Sequence, residues 1–284
     1  MSRSRLYFST PRGAHAWPPP DPSHSGFFEG TPAPLLAGTV RRVRWGFERV
    51  GERVEERILP DGAAHLIVVV PEDAGREAYA LVQGAHATPV VVELEGTLRH
   101  VELELQPGAT LALFGVAAKD VAGATFALAD VAPQRSAGLV DALRNAGPDV
   151  ATAARRVQTA LAKELSPVAP APRLVRAALA RVHRGPSLAR VGTLAAELGV
   201  SERRLEQLFA LHVGLSPKEA LRLARLHRLL ERLARPGSRR ATWAQVAAAE
   251  GFADQSHLTH DLRRLTGLAP RALLQATGFG FLQD

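Results

Sequence analysis

LAAELGVSERRLEQLFALHVGLSP (194–217) returns, altered in detail, as VAAAEGFADQSHLTHDLRRLTGLAP (246–270). Leu194, Ala195, Gly199 and Val200 align with Val246, Ala247, Gly251 and Phe252 at an offset of 52 residues. After one inserted residue, Leu205, Phe209, Gly214, Leu215 and Pro217 align with Leu258, Leu262, Gly267, Leu268 and Pro270 at an offset of 53. Two like supersecondary units follow from such a repeat. Each has the mechanics of a helix-turn-helix. A small residue (Ala195, Ala247) lets the second helix cross the first closely. A glycine four positions on (Gly199, Gly251) tolerates the positive φ that ends a helix. An apolar residue (Val200, Phe252) plugs the corner, and Ser201 or Asp254 offers an oxygen to cap the next helix.

On the second helix of the first unit, Leu205, Leu208, Phe209 and His212 share one face. Leu258, Leu262 and Leu265 do so in the second unit. The opposite faces expose Arg203, Arg204 and Gln207, and Gln255, Ser256, His257, Thr259 and His260. Side chains of these types can read base edges or hold phosphates. One such unit is a weak signal, because Ala–Gly corners are common in helical proteins. Two in register are a strong one.

Charge separates the chain in the same place. Residues 172–284 hold 18 basic and 9 acidic side chains, and residues 1–171 hold 17 and 19. A basic segment beside a nearly neutral one points to a polyanion for that half alone. Around the repeat, Ala, Leu and Arg dominate, and Gly and Pro act as punctuation. About seven short helices are expected, joined between the units by a helix over about 217–234. In that helix Leu221, Ala224, Leu226, Leu229, Leu230 and Leu233 are expected to be mainly buried.

Upstream lies a different pattern. Residues 1–29 are rich in Pro, Ser and Gly and are expected to be mostly irregular. Short apolar or alternating runs then follow between turn formers: AHLIVVV (64–70), YALVQG (79–84), PVVVELEG (89–96), HVELELQPG (100–108) and ATLALFGV (109–116). Each reads as a strand, which predicts a β-rich sandwich or barrel. A helical pattern from about 139 to 165 leads into the Pro-rich SPVAPAP (166–172). The expected organisation is an irregular segment 1–29, a β-rich regulatory domain 30–165 with a helical end, a linker 166–172 and an all-α domain 173–284. The fold class is two-domain α+β.

Residues 172–275 resemble the DNA-binding domain of AraC/XylS-type bacterial transcription regulators. The run GFADQSHLTHDLRRLTGLAP (251–270) is similar to that family's signature, and LGVSERRLEQLF (198–209) is similar to its first unit. The resemblance implies seven helices, with two recognition helices entering successive major-groove segments of double-stranded promoter DNA. By position it implies that Arg203 and Gln207, with Gln255, Ser256 and His260, face bases. Arg204, Arg263 and Arg264 would meet phosphates, with Ser201 and His257 beside them. The chain departs from the family at Leu258, where an aromatic is usual, and at His260, where Arg is usual. A neutral imidazole is a shorter and weaker reader than Arg.

The first half is more weakly similar, through ILPDGAAHLIV (58–68) and RRVRWGFER (41–49), to sensor-like domains that precede such modules. The resemblance implies a small-molecule effector, a homodimer, or both, and RNA polymerase as partner if the protein activates. Trp45, His65, Tyr79 and Phe114 are candidate effector-pocket residues, with core packing as their more frequent role.

Other chemistries are disfavoured. Cysteine is absent, which removes disulfides, thiolate metal sites and the reactive cysteine of DNA-repair methyltransferases carrying a similar module. His65, His86 and His100 each stand alone, without the His-x-His of a metal-binding cupin, so no metal or cofactor is expected. Glu93, Glu95, Glu102 and Glu104 alternate as if facing solvent, and no nucleophile or phosphate loop accompanies them, so no enzyme activity is expected. No run approaches a membrane span, and a cytoplasmic location is expected. The alternative reading is a β-rich ligand-binding or enzymatic unit carrying a helical protein-interaction module.

Overall fold

The computed structural model describes residues 3–10, 13–17, 25–163, 171–184, 190–233 and 242–277. The first half is an eight-stranded sheet backed by helices, and the second is a helical bundle. The strands are β1 (Arg3–Thr10), β2 (Gly13–Trp17), β3 (Ser25–Gly30), β4 (Val40–Ile58), β5 (His65–Pro71), β6 (Tyr79–Gln83), β7 (Val90–Leu105) and β8 (Thr125–Ala127). Their order is β2-β1-β4-β7-β5-β6-β8, with β3 also paired to β4. Among the described residues the order is an open path, so the sheet is not shown to close into a barrel.

Three expectations are corrected. Within 1–29, β1, β2 and most of β3 replace the irregular chain. Backbone pairing to β4, parallel for β1 and antiparallel for β3, orders a segment whose composition reads as loop. PVVVELEG and HVELELQPG are not two strands. They form the single β7, in which Gly96 (φ +78°) sits opposite the register shift between Val50 and Val54. The glycine marks a bulge rather than a turn. ATLALFGV is not a strand: α1 (Ala109–Phe114) starts after Gly108, whose φ of +83° turns the chain out of the sheet. A six-residue apolar run has no period that tells helix from buried strand.

The register sorts the sheet's two faces. Val43, Leu103, Leu66 and Val82 stand in one cross-strand row, and Trp45, Val101, Val68 and Ala80 in the next. This face packs beneath α4 (Pro133–Arg144) and α5 (Val150–Lys163), against Leu139, Leu143, Val157 and Leu161. Each buried Leu or Val adds about 1.5–3 kcal/mol. Short helices α2 (Ala118–Val121) and α3 (Leu128–Val131) complete this half. The expected helical stretch 139–165 is α5 and the end of α4, separated by a break at Asn145–Asp149. Most of the expected linker (166–170) lies outside the described residues.

The helical half comprises α6 (Arg173–Arg184), α7 (Val191–Glu197), α8 (Glu202–His212), α9 (Pro217–Leu233), α10 (Trp243–Ala249), α11 (Gln255–Thr266) and α12 (Pro270–Thr277). These are seven helices among the described residues. Leu221, Ala224, Leu226, Leu229, Leu230 and Leu233 of α9 are all buried. The helical core also takes in Leu6, Leu59 and Ala85 from the sheet half, so the two halves share packed surface. No helix among the described residues is long and apolar enough to cross a membrane.

Candidate nucleic-acid interface

The repeat in the sequence is a repeat in geometry. The Val200 N–H donates to Ala195 O at 3.1 Å, and the Phe252 N–H donates to Ala247 O at 2.9 Å. Gly199 and Gly251 hold φ of +67° and +77°. Ser201 Oγ accepts from the Arg204 N–H (3.2 Å), and Asp254 Oδ1 from the His257 N–H (2.7 Å), capping α8 and α11. Each cap satisfies a helix-end donor and adds about 1 kcal/mol.

Leu205, Leu208 and Phe209 bury one side of α8, while Arg203, Arg204 and Gln207 are exposed on the other. On α11, Leu258, Leu262 and Leu265 are buried, and Gln255, Ser256, His260, Arg263 and Arg264 are exposed. Arg264 Nη2 lies 3.9 Å from Glu219 Oε1 at the edge of that surface. Ser201 and His257 have local tasks. The Ser201 hydroxyl caps α8. His257 Nδ1 accepts from the Ala253 N–H (3.2 Å), Nε2 faces Asp261 Oδ2 at 3.6 Å, and the ring meets Phe252 edge-on.

A set of residues that sequence reasoning missed lies behind the exposed polar face of α11. Asp261, on the buried side of α11, is approached by Arg222 Nε (3.6 Å) and Arg225 Nη2 (3.3 Å) of α9. Glu250, which ends α10, meets Arg228 Nε (3.4 Å) and Arg232 Nη1 (3.1 Å) of the same helix. The Arg225 guanidinium also lies 5.2 Å from the Phe252 ring centre. The arginine spacing along one face of α9 was the available signal. Their partners emerge only once the second unit is folded against that helix.

The sheet's other face carries a second candidate site. Leu81, Ile67, Glu102 and Arg44 form one cross-strand row, with Tyr79, Val69 and His100 in the next. Over them lies a cavity of about 200 Å³, lined by seven Ile, Leu and Val side chains together with Tyr7, Tyr79, His100 and four glutamates. Tyr79 lines it. His65, buried on the same sheet face, touches the lining residue Glu102, and Trp45 and Phe114 pack on the opposite, helix-covered face. The four pocket candidates therefore do not converge.

Glu102 and Glu104 do not face solvent, whereas Glu93 and Glu95 do. The buried Arg44 guanidinium meets Glu102 Oε1 at 2.9 Å and Glu104 Oε2 at 2.8 Å. His65 stands between two carboxylates, with Nδ1 2.7 Å from Glu102 Oε1 and Nε2 3.1 Å from Asp61 Oδ1. Burial opposes charge on His65, but Asp61 and then Glu102 outweigh it and raise its pKa to about 10. Burial likewise opposes charge on Glu102, yet Arg44 and His65 hold its pKa down at about 2. His65 is thus a buried cation at neutral pH. No group of three His, Cys, Asp or Glu among the described residues forms a metal-ion cluster.

Two family models match the chain. Residues 194–276 match a helix-turn-helix domain, and residues 29–127 match a domain of unknown function, DUF6597. No curated protein matches it. Among solved structures, ToxT from Vibrio cholerae is similar at 9% identity, covering 89% of this chain and 99% of that one, with a TM-score of 0.39. ToxT of the same organism bound to (E)-4-(8-methylnaphthalen-1-yl)but-3-enoic acid has the same identity and coverage at a TM-score of 0.41. Its unsaturated fatty acid-bound form, 9% identical over 92% of this chain and 97% of that one, gives 0.35.

Proposed function

We propose, from the helix-turn-helix match over residues 194–276, that the protein is a sequence-specific transcription regulator of the AraC/XylS type. The observation that carries the reading is the duplicated unit. Each copy buries an apolar helix side and turns a polar one outward, within the basic half of the chain. α8 and α11 enter successive major-groove segments of promoter DNA. Arg203 and Gln207, with Gln255, Ser256 and His260, face base edges. Arg204, Arg263 and Arg264 hold phosphates, which position without specifying. Ser201 and His257 contribute by capping and bracing the reading helices, whose N-termini they shape.

The sheet domain is the regulatory half. Its cavity takes a small-molecule effector, and the protein acts on DNA in the cytoplasm without catalysing a reaction. A homodimer through this half and contact with RNA polymerase are compatible with the arrangement. Two reading helices in one chain make dimer symmetry unnecessary for a full site.

Selection of the full-length protein on randomised duplexes tests the reading. The expected result is a preferred sequence with two half-sites about one helical turn apart, bound roughly a thousandfold tighter than a scrambled control, with steep salt dependence. Steep salt dependence without a preferred sequence would instead indicate nonspecific binding. No DNA binding at low or high salt, with salt-insensitive protein capture, would replace it with the protein-interaction reading.

A further inference from the structure

The cavity and the helical half are connected by a short chain of buried contacts. Glu102 lines the cavity, and His65 lies between it and Asp61. Asp61 Oδ1 also accepts from the Ala63 N–H at 3.0 Å, which fixes the turn at 61–63. That turn lies against α9. The His227 Nε2–H donates to Pro60 O at 3.0 Å. A Cβ at Gly62 would come within 3.2 Å of Leu223 Cδ1 and 3.6 Å of Leu215 Cδ1, and its φ of +80° is one that L residues rarely adopt. α9 is the helix that joins the two reading units and grips the second through Asp261 and Glu250.

We infer that the Glu102–His65–Asp61 chain transmits occupancy of the sheet cavity to α9, and that the occupant is a small, largely apolar molecule bearing a hydrogen-bond donor for Glu102. The inference rests on the reading of the sheet half as a sensor. The physical reason for the route is that Glu102 Oε1 is shared between Arg44 and His65. A donor arriving at this carboxylate weakens its hold on the imidazolium, which then leans toward Asp61. A buried cation between two carboxylates cannot relax into solvent, so the turn must answer. The apolar walls select the body of the ligand. The described side chains lining the cavity include Glu48, Glu56 and Glu93 besides Glu102 and no Lys or Arg, which disfavours an anionic head group there.

The test uses the full chain and N-phenyl-1-naphthylamine, an apolar fluorescent molecule with one N–H donor. Saturable binding is expected, at least tenfold weaker in Leu81→Trp, whose indole fills the cavity. Bound probe is expected to change hydrogen exchange at backbone amides 217–233. In His65→Gln and in Asp61→Asn the probe should still bind within about threefold of wild type, while the change at 217–233 disappears. Two independent variants guard against a misfolded one, and each is checked by circular dichroism. Equal binding by Leu81→Trp, or an undiminished exchange response in both relay variants, overturns the inference. A duplex-binding assay separates the two readings. If the exchange result holds but no variant or ligand state binds any duplex, the relay stands and the regulator reading falls.

Discussion

Arg225 Nη2 of the joining helix lies 3.3 Å from Asp261 Oδ2, and Asp261 is almost wholly buried on the side of α11 that faces away from its exposed polar face. α11 is thereby tied to α9, the helix that follows α8. With Arg222 on the other oxygen, and Arg228 and Arg232 on Glu250, four arginines of the basic half are engaged by protein carboxylates. They tie α10 and α11 to α9.

Asp261→Asn is expected to leave the arginines without a counter-charge. Breaking a buried pair costs up to about 3–5 kcal/mol, and partial solvent access to the arginines brings this to roughly 1–3 kcal/mol. Thermal unfolding should show the loss. On the selected duplex, discrimination at the second half-site should fall while that at the first is kept. Equal loss at both half-sites would argue against a role in placing the second unit.

Arg203→Ala and Gln207→Ala are expected to relax base preference at single positions of the first half-site, by about 1–3 kcal/mol each. Arg263→Ala should weaken all sequences alike and lower the salt slope by about 1. Repeating the selection with each variant distinguishes the classes. Unchanged preferred sequences in the first two variants would remove those residues as readers.

The buried His65 makes stability depend on alkaline pH. Its folded pKa of about 10 lies above the ordinary 6.5, so its contribution is complete below 6.5 and is lost as pH rises toward 10. Melting temperature should therefore fall by several degrees between pH 7 and 10, on the order of 1 kcal/mol or more. His65→Gln should flatten that part of the profile. Glu102, held at about 2, acts in the opposite sense, supplying stability above its usual 4.5 that is lost as pH falls through 2. An unchanged alkaline slope in His65→Gln would show that the imidazole is not charged in the folded protein.

Gly214 holds φ +84° just after α8, and a Cβ there would come within 2.8 Å of the Ala118 carbonyl oxygen of the sheet half. Gly214→Ala therefore combines a left-handed alanine, at about 1–2 kcal/mol, with a displaced contact between the halves. The expected readouts are a lower melting temperature and faster proteolysis near 107–118, where the Gly108 N–H donates to His212 O. A neutral substitution would mean that this contact between the halves gives way without cost.

The helix-turn-helix units were legible because their determinants are local. Ala195, Gly199, Val200 and Ser201 act within about six residues of one another, as do Ala247, Gly251, Phe252 and Asp254, and a linear pattern contains all the partners. The α9 apolar stripe was legible for the same reason, since 3.6-residue periodicity is a property of one segment. The sheet was legible only in part. Leu66, Val68, Leu103 and Val101 show their alternation, but the opposite alternation in Glu102 and Glu104 has two solutions, water or a buried counter-charge. The register that sets Arg44 beside Glu102 decides it, through residues 58 positions apart.

The sequence by itself determined the two helix-turn-helix units, the helix between them and the separation of charge into two halves, because short-range sterics, capping and helical periodicity are encoded where they act. Tertiary structure alone decided that β1 to β3 join the sheet, that Trp45 and Tyr79 lie on opposite faces, and that His65 is clamped between Glu102 and Asp61. It alone decided that the α9 arginines grip Asp261 and Glu250. Pairing, burial and counter-charge depend on which distant segments meet, and the free energy that selects those meetings belongs to the packed whole.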